Sequence, residues 1–294
     1  MIPTFIIFLR EGIEGSMIVA ILLAYLKRLG QTQHFRDVFL GVGAAMVLMV
    51  AGGIAAYVAI SQYSGSKLQT YFETATYVVA AGFLTAMTLW MHKHARTMAK
   101  ELQVRSDAAL SKGNRWGLGL LSFQAVGREG LETMVFTLAI LFANSHQAAA
   151  PVHGNLVLLG GALGLVIALA LAVAMYKLGT KVNLKIFFRV LGVALMFFAA
   201  GLLADAMENL QRLGWITLGS HVMWNTSGVL RESSNVGDIF HSLLGYADQP
   251  TVLQGLVWLV YVTASVSIFV MMGRGPRSNS RTSSSSNPGA STRV

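Results

Sequence analysis

The chain has 294 residues, 54% of them hydrophobic and only 12% charged, with a mean hydropathy of +0.58. Soluble globular domains are about 25% charged, so the composition argues against a cytosolic enzyme, a disordered chain or a nucleic-acid-binding domain and for a polytopic membrane protein. There is no cysteine, which removes disulfides, zinc–thiolate sites, iron–sulfur clusters and thiol catalysis, and the net charge of +9 becomes a question of membrane sidedness.

A bilayer core about 30 Å thick takes about 20 apolar residues per helix. Such runs fall at 4–26, 38–60, 71–91, 117–143, 155–177, 186–205 and 251–272, predicting seven spans. The first run lacks a basic start and carries charges within it, unlike a cleaved signal peptide. Lys and Arg outside the spans divide 17 to 3 between alternate connections. The positive-inside rule then places the N-terminus outside and the C-terminus in the cytoplasm, with the basic residues facing anionic membrane lipid. Residues 206–250 are mixed and polar, with short amphipathic helices expected on the outer face. One transmembrane domain over 1–272 is followed by a Ser- and Arg-rich stretch, 273–294, expected to be a disordered cytoplasmic tail.

A five-residue motif is duplicated. Arg10-Glu11-Gly12-Ile13-Glu14 lies in the first span, and Arg128-Glu129-Gly130-Leu131-Glu132 lies 118 residues later in the fourth. Weaker echoes follow: Leu40-Gly41 with Leu159-Gly160, and Tyr57 with Tyr176. Spans 1–3 and 4–6 therefore read as one three-helix unit copied once. Three is odd, so the copies cross in opposite directions, and the expected fold is an all-α 3+3 inverted repeat plus a seventh helix, with a site near the midplane.

Charges at a helix centre each cost about 2.5–3.5 kcal/mol on the insertion scale, so the six motif charges must face each other, water or a ligand. Glutamates at i and i+3 share a face. Each arginine stands i, i+4 from the second glutamate of its motif, and the central glycine permits close helix approach. Two arginines against four carboxylates leave a formal charge of about −2, which suits a hard cation or protons rather than a purely structural clamp. Asp205 and Glu208, again i and i+3, form an outer acidic pair that Glu73 could join, giving a capture site. Met17 and Met134 follow the two motifs and read as gap fillers. No Glu-x-x-His, nucleotide-binding loop or nucleophile motif occurs, so neither a di-iron oxidase nor an ATPase is expected.

At these residues the chain resembles the high-affinity iron permeases, a family that includes the fungal ferric permease and the bacterial Efe-type iron permease. The doubled Arg-Glu-Gly-Leu/Ile-Glu motif is that family's signature, and Asp205-Ala206-Met207-Glu208 is similar to its outer Asp-Ala-Ser-Glu motif, with Met207 in place of the serine. The resemblance covers about residues 1–272. It implies iron as transported substrate, with no permanently bound cofactor. It implies Glu11, Glu14, Glu129 and Glu132 as metal ligands, Asp205, Glu208 and Glu73 as outer ligands, and Arg10 and Arg128 in support. It also implies an extracytoplasmic oxidase or peroxidase and an iron-delivery partner, and the short loops point to a bacterial inner membrane. The reading from residues and resemblance together is a permease moving Fe³⁺ or Fe²⁺ into the cytoplasm. The alternatives are a proton-coupled carrier of another divalent metal or an organic cation, an intramembrane enzyme, and a non-transporting sensor.

Overall fold

The computed structural model describes residues 2–63, 65–94, 98–111, 115–145, 154–178, 184–232 and 234–273. The tail expected over 273–294 lies outside them apart from its first residue. Among the described residues the regular structure is helical and no strand is longer than the single bridge between Val222 and Thr251. The helices are α1 (Ile2–Arg28), α2 (Phe35–Ser61), α3 (Lys67–His94), α4 (Met98–Ser111), α5 (Arg115–Ser145), α6 (Gly154–Leu178), α7 (Leu184–Arg212), α8 (Asn235–Leu244) and α9 (Val252–Gly273).

Among the described residues five segments are long and apolar enough to cross a membrane: Thr32–Ser61, Lys67–Met91, Val157–Ala174, Phe188–Arg212 and Val252–Phe269. Several of these helices are apolar on every side yet poorly covered by protein. Val47, Leu48, Val50 and Ile54 of α2 are exposed, as are Leu158, Leu159 and Val166 of α6. Contiguous apolar surface on this scale fits contact with lipid. Helices α1 and α5 are set apart by charge, not length: at 27 and 31 residues they exceed the run that a bilayer core requires. Any stretch of span length within them carries the three charges of a motif.

Two helices modify the expected layout. The basic connection after the third run contains α4, a polar helix that rests on α5 and α1. The sixth run, taken as ending at 205, continues in α7 to Arg212, because its last two turns are amphipathic and Glu208 pairs with Arg212 at i, i+4. The helix stops at Gly214 (φ 76°), with the Trp215 N–H on the Leu210 carbonyl at 3.1 Å.

The packing is crossed between the two halves. Helix α1 packs chiefly on α6, α2 on α5, and α3 on α7, with α9 against α7. The motif glycines set the first two contacts. A Cβ on Gly12 would lie 2.8 Å from Ala168 Cβ in α6, and one on Gly130 would lie 2.8 Å from Met49 Cγ in α2. Met17 joins the small apolar cluster of Leu9, Ile13 and Ala168, and Met134 packs against the main core around Tyr77 and Phe136.

Candidate metal centre

Helices α1 and α5 bring the two motifs face to face. Glu11, Glu14 and Glu129 are buried, and each offers a carboxylate oxygen such that the three lie within 4.8 Å of one another. Oxygen ligands at about 2.0–2.6 Å from one cation span at most roughly 4–5 Å, so the three fit a single ion. Glu132 is also buried but stands outside this trio, held by Arg128 Nε at 3.2 Å. The i, i+4 pairing expected in each motif is present: Arg10 Nε lies 3.1 Å from Glu14 Oε1, and Arg10 Nη1 donates to Glu11 Oε1 at 3.2 Å.

The arginines do not satisfy the acids. The Arg10–Glu14 approach is off the hydrogen-bonding axis, so both Glu14 oxygens lack a hydrogen bond. So do Glu11 Oε2, Glu129 Oε2 and Glu132 Oε2, giving five buried carboxylate oxygens without one among the described residues. Buried charged oxygens left unsatisfied are costly, and a cation would satisfy several at once.

The two motifs differ in surroundings. The Arg10 side chain is 3% exposed, whereas that of Arg128 is 48% exposed and stacks over the Trp90 ring at 4.8 Å. Arg128 stands at the edge of the protein, because α5 presents it beside the far end of α3.

Asp205 and Glu208 line a cavity of about 380 Å³ whose wall also includes Asn209, Arg212, Glu232, His241 and Asp248. Glu208 is paired with Arg212 and accepts from Gln254 Nε2 at 2.8 Å. Burial pushes the Glu232 carboxyl above the usual carboxylate range, opposed by His241. Glu73 is not in the wall; it is buried on α3 and accepts from Gln69 Nε2 at 2.7 Å. Sequence reading missed Tyr77, Asn209, Glu232, His241 and Asp248. The first two sit in apolar or unremarkable helix sequence, and the others lie on a connection whose folding back onto α7 no local pattern announces.

The family model described as "Iron permease FTR1 family" matches residues 1–274. Relatives named "Ferrous iron permease EfeU" are similar along nearly the whole chain. The one from Escherichia coli O6:K15:H31 is 33% identical over 286 residues, covering 96% of this chain and 99% of the relative. The one from Shigella sonnei is 32% identical with the same coverage, and the one from Yersinia pestis is 33% identical over 93% of this chain and 95% of its own. No solved structure matches the chain. With apolar helices able to cross a membrane, a doubled acidic motif meeting in the interior and a match over residues 1–274, the chain belongs to the Iron permease FTR1 family and is a multi-pass membrane transporter, not an enzyme.

Proposed function

We propose that this protein carries iron into the cytoplasm through one carboxylate site that both Arg-Glu-Gly-x-Glu motifs build near the middle of the membrane. The observation that carries this reading is the convergence of Glu11, Glu14 and Glu129 within 4.8 Å, with buried carboxylate oxygens that have no hydrogen bond among the described residues. Glu132 completes the ligand set on the Arg128 side, and Arg10 limits repulsion among the acids. The relatives' name, ferrous iron permease, favours Fe²⁺ as the cargo.

In this reading α1 and α5 are spans as well, making seven with the five apolar ones. Their motif charges other than Arg128 face inward, where the cost of placing them in lipid does not arise. The crossed packing supports an inverted repeat: exchanging the halves exchanges α1–α6 with α2–α5 and leaves α3–α7 in place. So do the glycine contacts, since Ala168 lies 119 residues after Met49, the same offset that relates Leu40-Gly41 to Leu159-Gly160. The N-terminus is outside, the C-terminus is in the cytoplasm, and the membrane is a bacterial inner membrane. Iron enters by the cavity at Asp205 and Glu208, with Glu73 behind it, on the face where an extracytoplasmic oxidase or peroxidase and a delivery protein would dock.

The test is iron accumulation in liposomes carrying the purified protein, with Fe²⁺ held reduced by ascorbate and Fe³⁺ supplied as citrate. Uptake of Fe²⁺ is expected, abolished by Glu14→Gln and by Glu129→Gln while both variants remain folded. Uptake undiminished in both variants would remove the carboxylate site from the pathway.

A further inference from the structure

The wall of the outer cavity includes a histidine, His241. His241 lies on α8, whose place is fixed at both ends. The Gly237 N–H donates to Ser234 Oγ at 3.0 Å at the start. At the end, Gly245 adopts φ 69° and sends its N–H to the His241 carbonyl at 2.8 Å. Gly245 also lies against Gly201 of α7, where a Cβ on Gly201 would come 2.8 Å from Gly245 Cα. Asp205 is one turn further along α7 from that contact, so α8 presents His241 to Asp205.

The ring's orientation follows from its partners. Nδ1 is 2.9 Å from the Tyr246 carbonyl, which can only accept, so Nδ1 carries the proton of the neutral ring. Glu232 Oε1 stands 3.4 Å from the same nitrogen. Nε2 then bears the lone pair, and it faces Asp205 Oδ2 at 3.9 Å. That is too long for a hydrogen bond. Two ligands bound at about 2.0–2.2 Å to one ion lie roughly 3.0 Å apart at a right angle and 4.3 Å apart when opposed, so 3.9 Å falls inside the range for a shared cation. A carboxylate and a carbonyl on the far nitrogen are the usual means of fixing a metal-binding imidazole.

A second observation points to a ligand. Tyr77 and Asn209, 0% and 2% exposed, belong to the same cavity wall, and among the described residues Tyr77 Oη and Asn209 Nδ2 have no hydrogen-bond partner. Tyr77 and Asn209 share this wall with Asp205 and Glu208.

We propose that His241 Nε2 and Asp205 form a transition-metal site in this cavity, with Glu232 as a positioning residue for the imidazole, and that the nitrogen ligand selects Fe²⁺ over Ca²⁺ and Mg²⁺. Carboxylates alone hold all three ions, and Ca²⁺ and Mg²⁺ favour oxygen ligands; imidazole suits first-row transition metals. The proposal rests on the iron-import reading for the identity of its cargo but not for the existence of the site.

The test uses the full chain in detergent with Glu14→Gln and Glu129→Gln together, which disables the motif site, and Mn²⁺ as the probe. Pulsed electron paramagnetic resonance should show ¹⁴N coupling from a bound imidazole, retained in excess Ca²⁺ and lost on adding His241→Gln. Asp205→Asn, an independent variant, should weaken Mn²⁺ binding, and Glu232→Gln should weaken it by about 10–100-fold, as expected for a residue that orients a ligand. In liposomes His241→Gln should raise the KM for Fe²⁺ and make uptake sensitive to Ca²⁺, leaving kcat close to that of the parent. Size-exclusion behaviour and helicity identify any variant that has not folded. Mn²⁺ bound without nitrogen coupling, or not bound at all, would overturn the site. Nitrogen coupling in a protein that moves no iron would leave this site standing and remove the transport reading instead.

Discussion

Replacing Arg10 and replacing Arg128 should have very different consequences, although the two residues occupy the same place in the repeated motif. Arg10 is buried, with Glu11 at 3.2 Å and Glu14 at 3.1 Å. In Arg10→Gln those carboxylates lose the cation of their own motif while Glu129 stays within 4.8 Å. Removing one partner of a buried ion pair costs about 3–5 kcal/mol, because the remaining charge is left without compensation. At 1.4 kcal/mol per tenfold, that lowers the folding equilibrium by roughly two to three and a half orders of magnitude. Arg128 is half exposed, with a Glu132 contact at 3.2 Å and the Trp90 ring beneath it. Glu132 is itself buried, but the half-exposed guanidinium is partly screened by solvent, so Arg128→Gln should cost about 1–3 kcal/mol, the penalty of one buried acceptor left unsatisfied, and less than Arg10→Gln. The assay is thermal unfolding of purified variants in one detergent, read by the monodisperse fraction after heating. Adding Glu14→Gln to Arg10→Gln should recover part of the loss by removing an unpaired charge. Equal destabilisation by the two arginine variants, or no recovery in the double variant, would refute the reasoning.

Three further outcomes are expected. Gly12→Ala places a Cβ about 0.6 Å inside the 3.4 Å at which ordinary contact with Ala168 begins, and overpacking of this kind costs about 1–3 kcal/mol. Thermal unfolding should show that loss and its rescue by Ala168→Gly, whereas Gly130→Ala should be milder because Met49 can swing aside. Burial raises the Glu232 carboxyl above its usual value of 4.5, so the folded state binds that proton more tightly than the unfolded chain. Its contribution is therefore present below the unfolded value and is lost as pH rises through the folded one; Glu232→Gln should gain stability relative to the parent from pH 4.5 upward, and a difference that is flat with pH would contradict this. The chain has no cysteine, so single cysteines can be labelled cleanly. At the matched positions Ile13, buried, and Leu131, exposed, Leu131→Cys should react with a maleimide faster than Ile13→Cys, and equal rates would remove the asymmetry between the motifs.

Much of this was legible in the sequence because hydropathy and spacing are local. The runs at 38–60, 71–91, 155–177, 186–205 and 251–272 reappear as helices able to cross a membrane. The i, i+4 pairing of arginine with glutamate follows from 3.6 residues per turn, and both pairs form. The close approach at each motif glycine was likewise expected, though which residue would fill the gap was not. What could not be read was what depends on the placement of distant segments. The extension of α7 past Asp205 was hidden because its last turns are polar, as a cavity wall requires and a lipid-facing span forbids. His241 carries no local signal, since its partners Asp205 and Glu232 lie 36 and 9 residues away and meet it only when α8 folds onto α7. Glu73 was grouped with the outer acids by its place at the start of the third span and by the resemblance, and its hydrogen bond from Gln69, one turn earlier on the same helix, is a local contact that neither signal announces.

The inequality of the two motifs bears on how such a protein would work. Two identical five-residue segments in a symmetric setting would give a site equally open, or equally closed, to both sides. Here one arginine is sealed between two carboxylates while its counterpart lies at the edge of the protein on Trp90. In an inverted repeat, exchanging the conformations of the two halves produces the mirror state, in which Arg128 is sealed and Arg10 exposed. Both states would have nearly the same internal contacts, so their free-energy gap would be small. An ion drawn to whichever acids are shared between the helices could then shift the balance only through its differential affinity for the two arrangements. Glu129 is the residue best placed to do this. It is contributed by the more open motif yet lies within 4.8 Å of both glutamates of the closed one. A cation bridging it to Glu11 and Glu14 would tie α5 to α1 in the present arrangement, and its departure would remove the tie.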